Sequence, residues 1–481
     1  MTSLAEAVYP RLPIVLQNVA CSLYGAREGR LRFNKAFTRW LDFLTQSELW
    51  QAGEIENYQN EQLRAIVQHA YLHVPLYRQR MDGLRVTPQD IRTRDDLHKL
   101  PVLTKEDVHQ HGPALLADNA ERHQLVEMKT SGTTGKSLHF YVTRESVAFR
   151  WAVWWRHRLR FGVAPGTWHA NFTGKLVVPA EQSAPPYWRV NLPARQLLLC
   201  MQHMTPDKVR AIAAFLDARS PTFYSGYPSI IHAFAQCLID ANEHLQSPPR
   251  FVFTGAENML DFQRTAIERV TGARLSDQYG FAEGCGNASH CTALRYHEDF
   301  EYGVLECADG AVADADGAVR GKILATGFAS PVFPFIRYEI GDVGLWQDAA
   351  TPCSCGRKSR VLIRIEGRAD DYVVTPEGRH IMRFDYLFKD TPHVRESQVV
   401  QDAPGQITVR IVRRPSYSMQ DEDRIRKDVA RWISPLLKVN FEYLAEIPRD
   451  GSGKFRAVKS TLAGAHGQPV ARRDRNQGVH P

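Results

Sequence analysis

The chain has 481 residues, 43% of them hydrophobic and 23% charged, which supplies apolar mass for several packed cores and rules out a disordered polymer. Its formal charge of +7 is scattered, with the densest basic group in the tail Arg472-Arg473-Asp474-Arg475, so the basic aromatic stripe of a nucleic-acid binder is missing. Eight cysteines in so long a chain argue against a disulfide framework.

Taken in chain order, the first feature is the apolar stretch from Leu12 to Leu23, interrupted by Gln17 and Asn18. No apolar run reaches the roughly eighteen residues that span a bilayer, so the chain is expected to be cytoplasmic, with shallow membrane contact by this stretch left open. The next is Thr130-Ser131-Gly132-Thr133-Thr134-Gly135-Lys136-Ser137. Glycines let backbone N–H groups approach an anion, the hydroxyls donate further hydrogen bonds, and Lys136 adds positive charge, a combination suited to phosphate. A Walker A loop needs glycine where Thr130 stands, so the phosphates are expected to be held in another way.

Thr205-Pro206-Asp207 starts a helix with Val209, Ile212, Phe215 and Leu216 on one face, and Pro221 ends it. Phe223-Tyr224 reads as a short strand, Ser225-Gly226-Tyr227-Pro228 as a turn, and Ser229 as the opening of a second helix carrying Ile230, Ile231, Phe234 and Leu238. Phe251-Val252-Phe253 is the next strand, and another lies near Arg274 to Gln278. This alternation predicts an α/β architecture with ligand residues on loops beyond the strand ends. The loops concerned are Gly255-Ala256-Glu257 and Tyr279-Gly280-Phe281-Ala282-Glu283, where a tyrosine offers a flat face for a purine and a carboxylate offers oxygen to Mg²⁺.

Two later groups suit a metal. Cys291 and His297, with Cys353 and Cys355, supply three thiolates and one imidazole, a closed structural zinc set; Cys285 and His290 are reserve ligands, and reduced bystander cysteines are the alternative. Further on, Phe335 to Asp342 places the Asp342 carboxylate after a glycine turn, where it can accept both hydroxyls of a ribose. Glu366-Gly367-Arg368-Ala369-Asp370-Asp371 reads as a joint between domains. Beyond it a smaller unit is expected, with an alternating strand at Ile407, Val409 and Ile411, a helix carrying Ile425, Val429, Trp432 and Ile433, and a strand near Phe441. It ends in Gly451-Ser452-Gly453-Lys454, and from about Ala463 the chain reads as a disordered basic tail.

In order, the 131–137 loop, Tyr279-Gly280-x-x-Glu283, Arg337-Tyr338-x-x-Gly341-Asp342, Gly367-Arg368-x-Asp370-Asp371 and Gly453-Lys454 resemble the motifs of the adenylate-forming acyl ligases. The chain looks most like the phenylacetate–CoA ligase branch and its CapK-like members. Supporting residues are His73-Val74-Pro75-Leu76-Tyr77-Arg78, Asp96-Leu97, Leu100-Pro101-Val102-Leu103-Thr104-Lys105 and Cys353-Ser354-Cys355-Gly356-Arg357. The resemblance implies a large adenylate-forming domain of layered sheets and helices over 1–367, a mobile α+β lid over 368–462 and a tail over 463–481. It implies ATP, Mg²⁺ and a carboxylic acid as reactants, an acyl-adenylate and pyrophosphate as products, and then acyl transfer to CoA or to an amine or hydroxyl.

The same resemblance assigns roles. Lys454 bridges carboxylate and phosphate during adenylation, Glu283 holds Mg²⁺, and Ser131, Gly132, Thr133, Thr134, Gly135 and Lys136 handle the terminal phosphates. Tyr279 and Gly280, with Gly255, Ala256 and Glu257, line the adenine pocket; Asp342 and Arg368 engage the ribose; Asp370 is the hinge. Trp168, Phe172, Trp188, Tyr224 and Tyr227 occupy the region of the acid pocket, as an aromatic lining or as plain core. The rival classes are a phosphotransferase, which would yield ADP, and a non-catalytic nucleotide-binding scaffold, which would lack Lys454 or Glu283.

Overall fold

A computed structural model describes residues 8–130, 138–179, 181–308, 312–313, 317–347, 352–368, 372–376, 380–381, 384–388, 391, 393–449 and 455–462. The chain forms two compact units. One runs to Gly367 and is rejoined by Pro448–Phe455; the other comprises Arg368–Ile447 and the chain from Arg456.

The large unit begins with five helices, α1 (Ile14–Arg32), α2 (Lys35–Ser47), α3 (Ala52–His73), α4 (Pro75–Leu84) and α5 (Lys105–Leu115). Their starts follow from local chemistry: Asn34 caps α2 through its side-chain oxygen, Pro75 opens α4, and Thr104 with Asp107 forms a capping box on α5. An antiparallel hairpin of β1 (Leu125–Lys129) and β2 (His139–Thr143) follows, then α6 (Arg144–Leu159).

The main sheet takes in β3 (His169–Thr173), β4 (Trp188–Asn191), β5 (Gln196–Cys200), β6 (Phe223–Gly226), β7 (Phe251–Gly255) and β8 (Arg274–Gly280), interleaved with α7 (Pro206–Arg219), α8 (Pro228–Asp240) and α9 (Asp261–Thr271). It continues through β9 (Asn287–His290), β10 (Tyr296–Glu298), β11 (Gly303–Cys307), β12 (Val312–Ala313), β13 (Val319–Gly327), β14 (Tyr338–Trp346) and β15 (Val361–Arg368). The order is β11-β13-β14-β15-β10-β9-β8-β7-β6-β3-β5-β4, with β12 paired to β13. β3, β5, β6, β7 and β8 run parallel, as strand–helix–strand crossovers require. The approach of β3 to β6 needs Gly226, since a Cβ there would lie 2.1 Å from the Phe172 carbonyl oxygen.

The helices and strands expected from Thr205 to Gln278 are all present. Pro206 occupies the first turn of α7, and Ser220 ends that helix in the left-handed conformation just before Pro221. A core of Ile212, Leu216, Ile230, Phe234, Val252 and Leu275 packs these helices on the parallel strands.

The small unit has short paired strands β16 (Val373–Val374) and β17 (His380–Ile381), then β18 (Val394–Gln401), β19 (Gln406–Arg413), α10 (Met419–Trp432), β20 (Lys438–Tyr443) and β21 (Val458–Ser460). The four longer strands order as β20-β19-β18-β21. Ile407, Val409 and Ile411 alternate inward from β19 to meet Ile425 and Val429 of α10, as their periods of two and four predict. The expected tail from Ala463 lies outside the described residues.

Candidate functional site

The parallel strands β7 and β8 pair with Gly255 opposite Gln278, so the loops 255–257 and 279–283 leave the same end of the sheet side by side. A Cβ on Gly255 would meet the Gln278 carbonyl oxygen at 2.9 Å, which explains glycine at this register. Ala256 has a φ of 67°, a conformation that costs an L-residue about 1 kcal/mol and is held by its neighbours. Glu257 is tied down: the Ser229 hydroxyl and backbone N–H donate to it at 3.1 Å each, and the Phe455 N–H donates at 2.9 Å. Burial pushes its carboxyl up, opposed by those donors and by the Arg449 charge. The residue next to Lys454 in sequence is thereby bonded to the loop beside Tyr279.

From β8, the Tyr279 hydroxyl donates to Asp342 Oδ2 at 2.8 Å, and from β14 the Tyr338 hydroxyl donates to Glu283 Oε1 at 3.0 Å. These two bonds cross-link the predicted purine, ribose and metal residues into one cluster. Arg150 of α6 braces the same turn, donating to the Ala282 carbonyl at 2.9 Å and to the Tyr302 hydroxyl at 3.2 Å. Asp342 does not follow a free turn as expected. It lies inside β14, one residue after Gly341 at φ 87°, because β13 and β14 continue their pairing across a bulge there.

The segments flanking this cluster are braces. The Tyr77 hydroxyl donates to the Pro334 carbonyl and accepts from the Ile336 N–H, at 3.0 and 2.9 Å. The Leu103 N–H donates to the Arg337 carbonyl, the Glu339 N–H donates to the Leu103 carbonyl, and Arg337 reaches the carbonyls of His98 and Leu100. At the hairpin, the Thr130 N–H donates to the Leu138 carbonyl at 3.1 Å and the Leu138 N–H donates to Thr130 Oγ1 at 2.9 Å, which ties together the two residues that flank 131–137. Ser131, Gly132, Thr133, Thr134, Gly135, Lys136, Asp370 and Lys454 lie outside the described residues, as does the side chain of Arg368.

Away from this cluster, Cys291, His297, Cys353 and Cys355 bring four ligand atoms within 4.8 Å of one another. Cys291 Sγ and Cys353 Sγ are 3.8 Å apart, and Cys355 Sγ is 3.4 Å from His297 Nε2. Tetrahedral zinc with sulfur bonds of about 2.3 Å sets sulfurs about 3.8 Å apart, so the donor set fits that ion. His297 Nδ1 faces the Ser359 carbonyl at 3.0 Å, which fixes a tautomer with Nε2 turned to the thiols. Burial alone would raise the Cys291 thiol, but the His297 ring and nearby backbone N–H groups bring it down to about 6, favouring thiolate. The reserve ligands lie elsewhere. His290 Nδ1 accepts from the Asp277 N–H at 3.0 Å, and the buried Cys285 packs against Gly327.

Sequence reading missed a buried ionic lattice around Arg156 of α6. Arg156 donates to Glu301 at 2.6 and 3.0 Å, to Asp299 at 2.7 Å and to the Leu44 carbonyl at 3.1 Å; Arg160 adds a 2.9 Å bond to Asp299 and a contact to Glu48. The available signal was the placement of three arginines within the aromatic run Phe149-Arg150-Trp151-Ala152-Val153-Trp154-Trp155-Arg156-His157-Arg158. Of the two readings of the aromatic residues, plain core describes Phe172 and Tyr224, which are fully buried against Phe234, while Trp188 stacks on Phe215 at 4.0 Å.

This fold, with its loops 255–257 and 279–283 at the ends of parallel strands, is that of the adenylate-forming ligases. A solved 2-hydroxyisobutyryl-CoA ligase bound to an acyl-AMP aligns with a TM-score of 0.67 at 18% identity, over 86% of this chain and 91% of that one. Residues 373–461 match the CapK C-terminal domain. Protein CapK of Staphylococcus aureus is 24% identical over 466 residues, covering 93% of this chain and 98% of the relative. The phenylacetate-coenzyme A ligase of Thermus thermophilus is 27% identical over 333 residues, covering 66% and 71%. The Escherichia coli ligase of the same name is 27% identical over 344 residues, covering 67% and 72%. These likenesses support assignment of the chain to the CapK-like part of the phenylacetate–CoA ligase branch.

Proposed function

We propose that the protein activates a carboxylic acid with ATP, releasing pyrophosphate and forming an acyl-adenylate, and then transfers the acyl group to an acceptor, with CoA as the first choice. The observation that carries this reading is the cluster of Tyr279, Asp342, Glu283 and Tyr338, together with the bond from Phe455, beside Lys454, to Glu257. A carboxylate attacking the α-phosphate of a polyanion needs charge stabilisation that grows in the transition state. Lys454 supplies it. The 131–137 loop takes the outer phosphates, Tyr279 with Gly255, Ala256 and Glu257 flanks the base, and Asp342 and Arg368 take the ribose.

Glu283 fits Mg²⁺ as a carboxylate oriented by Tyr338; the ion, when bound, neutralises phosphate charge. Asp370, at the start of the small unit, serves as the hinge for a lid over 368–462. A screen of aryl, fatty and amino acids for acid-dependent pyrophosphate release, with and without CoA, tests both acid and acceptor. It includes amines and hydroxyl compounds because the CapK likeness runs over 93% of the chain, against 66–67% for the two CoA ligases. No pyrophosphate with any acid would count against the proposal.

Asp342→Ala removes the acceptor for the ribose hydroxyls and the partner of Tyr279. The KM for ATP is expected to rise about 10- to 100-fold, the range for hydrogen bonds to a charged group, with little change in the KM for the acid. Initial rates at varied ATP and acid check this; an unchanged KM for ATP would remove Asp342 from nucleotide binding.

We assign the four-ligand set to a structural zinc. Metal analysis of purified protein is expected to give about one zinc per chain. Cys353→Ser is expected to lower both the zinc content and the melting temperature. A metal-free protein with the wild-type melting temperature would show that the cysteines are reduced bystanders.

A further inference from the structure

Helix α1 is mounted with its polar side inward. It lies along β4, the strand that ends the main sheet, and satisfies that edge with side chains. Asn18 Oδ1 accepts from the Val190 N–H at 2.8 Å, Ser22 Oγ accepts from the Leu192 N–H at 3.2 Å, and Gln17 Oε1 accepts from Arg189 Nε at 2.8 Å. Gly25 allows the close seat, since a Cβ there would lie 2.1 Å from Asn191 Oδ1. The aliphatic residues consequently point out. Val15 is 71% exposed, Leu16 48%, Val19 47% and Leu23 68%. They recur at the three- and four-residue spacing of one helical face, and Leu192, beside Ser22, adds another exposed side chain.

One turn beyond Leu23 the outward face becomes basic, with exposed Arg27 and Arg30, and exposed Lys175 lies over the Tyr24 ring at 5.6 Å. The only acidic residue of the helix is Glu28, which pairs with Arg32. Aliphatic side chains followed by arginines, on a face without a carboxylate, complement the acyl boundary and headgroups of an anionic lipid surface. A second copy of the same face fits poorly, because it would bury Arg27 and Arg30 against aliphatic residues with no acid to pair them. No helix among the described residues is long and apolar enough to cross a membrane, so contact would be in the plane of the interface.

We propose that α1 docks the protein on anionic phospholipid bilayers through Val15, Leu16, Val19 and Leu23, with Arg27 and Arg30 at the headgroups. The test uses the full chain and vesicles of phosphatidylcholine with or without phosphatidylglycerol. Wild-type protein is expected to co-sediment with the anionic vesicles and not with the neutral ones. Arg27→Gln with Arg30→Gln is expected to weaken binding about 25-fold, from about fivefold per arginine near an anionic surface, and Leu23→Ser about tenfold. Because these side chains are exposed, each variant should keep the wild-type circular dichroism. In parallel, Leu23→Trp should show a blue-shifted emission only with anionic vesicles. Equal sedimentation with neutral vesicles, or none with either, would overturn the proposal. So would a blue shift already present without vesicles, which would mean that a segment of the chain or a second copy covers the stripe; sedimentation velocity separates those two.

Discussion

Replacing Lys454 with alanine is expected to slow acid-dependent pyrophosphate release by about 10²- to 10³-fold, the loss typical when one preorganised donor to a developing charge is removed. In the proposed reaction two anions, the acid and the α-phosphate, must come into bonding distance, and Lys454 is the cation proposed for that moment. Its sequence neighbour Phe455 is bonded to Glu257, in the loop beside Tyr279 and Gly280, which supports the role proposed for the lysine. The transfer half-reaction involves no attack on the α-phosphate. Supplied with a preformed acyl-adenylate, the variant should therefore still pass the acyl group on, which separates lost charge stabilisation from misfolding. Steady-state pyrophosphate release and single-turnover transfer together check this, and wild-type adenylation rates in the variant would take Lys454 out of the chemistry.

Arg156→Ala is expected to destabilise the large unit by about 3–5 kcal/mol, a large share of the 5–15 kcal/mol typical of a domain. The side chains of Arg156, Asp299 and Glu301 are 1%, 0% and 0% exposed, so removing the guanidinium leaves two carboxylates in the interior with less compensation. The loss of packing from α6 onto the Leu44 end of α2 adds to this. Chemical denaturation monitored by circular dichroism gives the number, and a shift below 1 kcal/mol would mean that the lattice is far better solvated than its geometry indicates.

The same lattice sets an acid limit. Burial alone would raise the Asp299 carboxyl, but the charges of Arg156, Arg160 and Arg357, with the Ser289 hydroxyl, hold it well below its ordinary value of 3.8. A depressed carboxyl contributes stability that is present above its unfolded pKa and lost as pH falls through the folded one. Wild-type stability is therefore expected to fall as pH drops below about 4, where the unfolded state begins to take up this proton first. Arg156→Ala should lose less over this range and finish the loss at a higher pH, because its Asp299 is less depressed while the unfolded pKa at which the loss begins is unchanged.

Much of the fold was legible because local chemistry and tertiary packing agree. Thr205-Pro206-Asp207 starts a helix whose apolar face is one that the sheet needs, and Ile407, Val409 and Ile411 alternate in a strand that has one helix to cover. The grouping of Cys291, His297, Cys353 and Cys355 was legible from ligand identity and spacing, although spacing could not separate Cys285 and His290 from it; only the fold turns those two into the core. Asp342 bonds to Tyr279 but sits within a strand where a turn was expected, since a glycine at positive φ reads as a turn whether it ends a strand or sits at a bulge within one. The pairings of Tyr338, Arg150 and Arg156 were missed for a common reason. Each acts on a residue more than 50 positions away in sequence, and no local period marks such a pairing.

The most direct test of the central claim is exchange of labelled pyrophosphate into ATP without any acceptor. If Tyr279, Glu283, Asp342, Arg368 and Lys454 converge on one ATP and form an acyl-adenylate reversibly, label enters ATP only when the correct acid is present. With an acceptor supplied and pyrophosphate removed, AMP, not ADP, accumulates as the acyl group leaves the adenylate. Label that enters ATP equally without acid, or ADP and phosphate as the products of a reaction with the acid that screening identifies, would contradict the account.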